Sequence, residues 1–360
     1  MPTEHWRGRP VKKVNYRLPG EWLIDNFYII QEQIVQLKED LPVSCYKKLP
    51  RLSEGKFVGY SRVYEPIVNL AELSDNVIDQ DNVETVVQAF QRVETLKLGE
   101  LWAVPIMIRL VLINRLSERA EELLNLRSIK TRAEKQIDNI TRQDSEEPGF
   151  LLRKLVKLTK QEAGTKVYLT ALARRLQNNG LLTEIERNWF DYKFRQWNTN
   201  LEDQLRAEAQ ETSRLHLSIQ NAIISLRKAS ESDWSEFVEN NSVVERILRL
   251  DPARYYGQMD FKTRDIYRKK IEKLSAHSRL TEQLVAEKLL VKTESQARTN
   301  GTESTVANHV GYYLLGPGYR AFCRDIGYRA PLDERLFGLA ERHHSIFLMI
   351  ACTHGGIALE

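Results

Sequence analysis

The sequence predicts an all-α protein. Three observations carry that expectation. Apolar residues recur at spacings of three and four along most of the chain, and no convincing run of alternating β-branched residues appears. The 360 residues also include only 17 Gly and 11 Pro, too few for a turn-dense β-architecture. The length sets an expectation of two or three units. The pattern divides into a basic polar segment 1–19, helical subdomains 20–147 and 148–291, a flexible linker 292–306, an aromatic and glycine-rich segment 307–344 and an irregular apolar stub 345–360.

The elements follow in order. Trp22, Leu23, Phe27, Ile30, Ile34 and Leu37 share one helix face, which Pro42 closes. Residues 47–59 read as a loop, and Tyr64–Leu73 as a helix with Pro66 in its first turn, where a missing N–H costs nothing. Residues 75–81 are turn-like, and Val83–Val93 is a short helix. The most apolar stretch, Leu98–Leu116, carries Pro105 near its start and Arg109 in its middle. Its uncharged core runs only from Leu101 to Ile108, far short of the ~20 residues a bilayer needs, so it reads as a buried helix. An arginine there is costly unless paired, so Arg109 is expected to reach an acidic side chain or helix-end carbonyls.

Residues 127–148 are polar and read as a linker or solvated helix end. A helix over 151–180 should stop in the left-handed region at Gly180. Thr183 with Glu186, and Ser242 with Glu245, have capping-box spacing. A long helix spans 201–228. Asp260 should cap a helix on which Tyr267 points inward and Arg268 reaches a carboxylate.

Hydrophobic residues at 42% and charged residues at 28% exclude wholesale disorder. Cys45, Cys323 and Cys352, odd in number and widely spaced, exclude a disulfide framework and a CxxC zinc site and fit a reducing compartment. The net charge of +4 resides in the first 17 residues, and the balanced remainder argues against a nucleic-acid face. The basic start precedes no apolar run of signal-peptide length.

Chemistry-bearing motifs are sparse. The chain lacks GxxxxGK[ST], HExxH and GxSxG. Asp79 and Asp81 have the i, i+2 spacing with which carboxylates can hold a divalent metal, but they sit in a polar turn with no preceding strand, which favours solvated turn acids. His343, His344 and His354 invite a metal reading. Adjacent histidines on a helix diverge by roughly 100°, so a surface pair is favoured. Trp189 and Trp197, with Phe190, Tyr192 and Phe194, could stack sugars, although a helix-face core is the commoner use of such a cluster. The residues imply no cofactor and no firm metal or catalytic site.

Several segments together resemble one family. They include residues 20–28, 59–64 and 96–110, Gln220–Arg227, Asp233–Trp234, Val243–Glu245, Asp251–Ala253, Met259–Arg268 and His309–Leu314. In this order they are similar to the N-terminal region of bacterial cyclic β-1,2-glucan synthases. The resemblance implies a helical, non-catalytic domain at the cytoplasmic face of the inner membrane. Its partners would be the membrane and glycosyltransferase domains of the same synthase, which use UDP-glucose, with glucan a further candidate. Segment 307–344 would then be juxtamembrane, and 345–360 would stand where a membrane helix begins. The family's catalytic residues have no counterpart here. Two other readings stay open: a self-contained glycosyltransferase or glucan-processing enzyme, and a stand-alone helical glucan-binding or scaffold module.

Overall fold

A computed structural model describes residues 19–42, 46–142, 149–161, 165–300 and 306–331. Among them are fifteen α-helices and no β-strand. In chain order these are α1 (Pro19–Asp25), α2 (Phe27–Asp40), α3 (Tyr64–Leu73), α4 (Gln80–Gln91), α5 (Leu98–Thr141), α6 (Phe150–Gln161), α7 (Lys166–Asn178) and α8 (Glu184–Phe194). Then follow α9 (Leu201–Glu231), α10 (Ser235–Asn241), α11 (Val243–Leu248), α12 (Phe261–Ala276), α13 (Glu282–Asn300), α14 (Val310–Leu314) and α15 (Tyr319–Asp325). No helix among the described residues is long and apolar enough to cross a membrane. The stub 345–360 and the three C-terminal histidines lie outside the described residues.

The chain divides into two compact units, each built from separate stretches. The first takes residues up to Lys48, Leu52–Val83 and Pro105–Ser232; the second takes Leu49–Arg51, Glu84–Val104 and the chain from Asp233. The boundary expected at 147/148 falls inside the first unit. The cause is packing: Leu155, Leu169, Leu172, Phe190 and Phe194 share one core with Ala133 and Ile137 of α5. The polar stretch after Arg127 is therefore no linker. Its Arg, Lys, Glu, Gln and Ala are good helix formers, and α5, 44 residues long in all, continues into it as far as Thr141.

Two further expectations are corrected. The single helix over 151–180 is two helices, and Thr165 starts the second by accepting the Tyr168 N–H at 3.3 Å. The linker over 292–306 is helical up to Asn300, because Thr293 is buried and Lys292 pairs with Asp325 of α15. Residues 301–305 lie outside the described residues. Gly180 takes φ +71°, as its αL role requires.

In the first unit the turn after α3 is bound to α9. Asn76, at φ +65°, is fully buried, and its amide donates to Ser218 Oγ at 2.8 Å, while its carbonyl accepts from Ser225 Oγ at 2.8 Å. Asn tolerates the left-handed region better than most residues, which suits it to this post. Arg109 meets its expectation: its guanidinium pairs with Asp40 at the end of α2 at 2.5 Å. The second unit closes around Tyr256, Ile271, Leu274, Val285, Leu289, Val310, Leu314 and Phe322.

Candidate functional site

The second unit holds a buried knot of charge. Arg264 and Arg268, four residues apart, project from one face of α12. Asp260 sets the start of that helix by accepting the Thr263 N–H at 2.9 Å, as expected. Arg268 is fully buried, and its Nη1 donates to Glu239 of α10 at 2.8 Å and to Glu245 of α11 at 2.6 Å. Its guanidinium carbon lies 4.8 Å from the centre of the Phe261 ring, a cation–π arrangement. Arg264 grips Glu239 through both Nε (3.0 Å) and Nη2 (2.6 Å).

Glu245 is held by three different residues. Its carboxylate accepts from Arg268, from Arg249 Nε at 2.8 Å and from the Tyr256 hydroxyl at 2.6 Å. This explains why the second capping box is half-formed. Ser242 Oγ accepts the Glu245 N–H at 3.2 Å, but the Ser242 N–H bonds the Glu239 carbonyl, leaving the Glu245 carboxylate to the knot. The first box, Thr183 with Glu186, forms both arms.

Beside the knot Asp251 ties three segments together. Its Oδ1 accepts the Val310 N–H at 3.0 Å at the start of α14, and its Oδ2 contacts His309 Nδ1 at 2.7 Å. His309 Nε2 lies 3.2 Å from the Tyr267 hydroxyl. With the proton on Nδ1, a neutral His309 donates to Asp251 and accepts from Tyr267, and every member is satisfied. Gly311 makes this possible: a Cβ there would stand 2.4 Å from Tyr267 Oη and 2.6 Å from His309 Nε2.

The electrostatics favour holding over reacting. Burial works to raise the Glu239 carboxyl, yet the hydrogen bonds and charges of Arg264 and Arg268 outweigh it and keep the group below its ordinary value. Burial first, then the charge of Glu245, pushes the Tyr256 phenol upward and keeps it protonated. Burial, with Asp251, raises Tyr267 in the same direction. The phenols are thus donors, and the carboxylates are occupied acceptors.

The site residues expected from sequence lie elsewhere. Asp79 caps α4: its Oδ1 accepts the Asn82 N–H at 3.0 Å, and Asp81 lies in the first turn. Among the described residues no group of three or more His, Cys, Asp or Glu is arranged to hold a metal ion. Trp189 packs edge-on against the buried Phe190 and over the core of the first unit. Trp197 tilts against the buried Phe194 and is about one-third exposed. A cavity of about 250 Å³ in this unit is lined by Leu126, Lys130, Val167, Ala207 and Glu208, among others, and by neither tryptophan. Its Lys130 pairs with Glu208 at 2.6 Å.

No family model matches the chain. A curated relative does: cyclic beta-(1,2)-glucan synthase NdvB of Rhizobium meliloti (strain 1021) is 28% identical over 318 residues. The chain resembles a cyclic β-1,2-glucan synthase. The match takes in 88% of this chain but 11% of the relative, so the chain spans about a tenth of that synthase's length. Four of the segments that carried the resemblance in sequence meet in the second unit: Val243–Glu245, Asp251–Ala253, Met259–Arg268 and His309–Leu314 supply Glu245, Arg264 and Arg268 of the knot and the Asp251–His309–Tyr267 chain. Sequence reasoning missed Glu239, whose helix gives no periodic signal in seven residues, and the pairing of Asp251 with His309, 58 positions apart.

Proposed function

We propose that the chain is a non-catalytic helical domain of a cyclic β-1,2-glucan synthase, at the cytoplasmic face of the inner membrane. It packs against the membrane glycosyltransferase that polymerises glucose from UDP-glucose and holds it in position. The observation that carries this reading is the comparison: a similarity across nearly the whole of this chain accounts for only 11% of the synthase. The geometry supports it. A site whose carboxylates are held by arginines and whose phenols are kept protonated stiffens a scaffold.

A second feature also supports it. In the first unit, α1 and α2 turn Ile29, Ile30 and Gln33 inward, yet Ile24, Phe27, Tyr28 and Val35 on other faces are about half exposed or more. Exposed apolar side chains of this size on two successive helices offer surface for a contact. In the proposed role they meet the transferase.

Calorimetric titration with UDP-glucose, and separately with β-1,2-glucan oligomers, tests the reading. The expected result is no saturable heat with either. Saturable UDP-glucose binding would replace it with an enzyme domain, and glucan binding with a glucan-binding module. In a full-length synthase, Phe27→Asp with Val35→Asp should lower glucan synthesis while the melting temperature of the isolated chain stays within a few degrees of the parent. Unchanged synthesis would remove these helices from the contact.

A further inference from the structure

The first turn of α5 is ringed by carboxylates, all within the second unit. Glu282, the first residue of α13, is 7% exposed and accepts the Leu98 N–H at 2.8 Å. Glu100, fully buried, reaches back three residues to accept the Lys97 N–H at 3.0 Å. Gly99 has no side chain, and Glu272 of α12 occupies the space, its Oε1 3.2 Å from where a Cβ would stand. The attraction is physical: the first N–H groups of a helix lack intrahelical acceptors, and the helix end favours negative charge. The charged groups facing Glu282 are Lys97, just before α5, Glu100 of α5 and Glu272 of α12. Lys97 is exposed, so one solvated cation opposes two acidic neighbours.

We propose that this cluster is a proton-operated clamp between α13 and the start of α5. A proton on Glu282 relieves the repulsion from Glu100 and Glu272, and the Leu98 bond holds. When the proton leaves, a buried charge faces its own kind and the grip on the first turn of α5 weakens. Burial is the main reason Glu282 keeps its proton; the Leu98 N–H pulls the other way, Glu272 and Glu100 add to the rise, and the group is pushed up to about 7. The folded value lies above the ordinary one of 4.5, so the fold favours the protonated form. The contribution is therefore complete below about pH 4.5 and lost as pH rises to about 7.

Amide hydrogen exchange at Leu98, compared between the intact parent chain and Glu282→Gln, reads the clamp. Gln keeps an acceptor for the Leu98 N–H and cannot titrate. The protection ratio of parent to variant should fall about 100-fold from pH 4.5 to 7.5 and then level. A ratio that stays flat with pH overturns the proposal. Glu272→Gln supplies an independent arm that also serves if Glu282→Gln does not fold. Removing that charge should move the midpoint of the parent's loss of Leu98 protection to lower pH, and an unmoved midpoint overturns the cluster as the cause.

Discussion

Each unit buries an arginine on a helix, and the two solve the problem at different depths. Arg109 in α5 pairs with Asp40, whose side chain is 46% exposed, at the rim of the first unit. Arg268 in α12 is fully buried between two carboxylates whose own side chains are 11% and 2% exposed. In the first case water shares the work. In the second the partners are protein groups, Glu239 of α10 and Glu245 of α11, the latter braced by Tyr256, while the buried Arg268 Nε has no hydrogen-bond partner. A buried cation at full depth thus organises the helices around it, whereas one at the rim only borrows a neighbour.

The contrast can be tested in order of effect. Arg268→Met removes the cation that Glu239 and Glu245 share, leaving them Arg264 and Arg249, and should cost about 3 kcal/mol, read from the urea midpoint. Arg109→Met leaves Asp40 free to turn into water and should cost about 1 kcal/mol after allowance for its exposure. Equal losses for the two would show that depth is not the deciding variable. Ser242→Ala deprives the buried Glu245 N–H of its side-chain acceptor and should cost roughly 1 kcal/mol. A loss as large as that of Arg268→Met would mean that the cap itself positions the knot.

The pH dependence sharpens the comparison further. Glu239 is held below its ordinary carboxylate value, so it stabilises the fold at pH values above that ordinary range, and the contribution is lost as pH falls through the folded value. Acid unfolding of the parent should therefore be shallower in Glu239→Gln, with the difference confined to the acid side. Glu282, with its raised value, bends the curve in the opposite sense, so the two variants should differ in the sign of their pH effect.

Much of this fold was legible because it is written locally. The bounds of Tyr64–Leu73, the capping of α12 by Asp260 and the terminus at Gly180 depend on neighbours within a turn or two. The polar half of α5 left a linker and a solvated helix end both open, because low hydrophobicity suits either; helix propensity and two inward positions, Ala133 and Ile137, decide for the helix. Around the candidate site, Tyr267 and Arg268 were legible as inward residues, but their partners were not. Glu239 lies 29 positions from Arg268, and His309 lies 42 from Tyr267. Periodicity carries no information across such separations. The aromatic run at 189–197 was ambiguous for another reason: stacking platforms and cores use the same residues, and only the burial of Phe190 and Phe194 separates them.

The empty side of Gly311 has a consequence for heredity. The Tyr267 hydroxyl and the His309 ring meet in the volume a methyl group would need, so a single-base change to alanine at this codon would wedge Tyr267 from His309 and loosen Asp251 from the start of α14. The loss would fall on hydrogen bonds and packing that warmth already strains, while the charged knot beside them stayed intact. Such an allele should be conditional: tolerated in cells grown cool, and failing a few degrees higher.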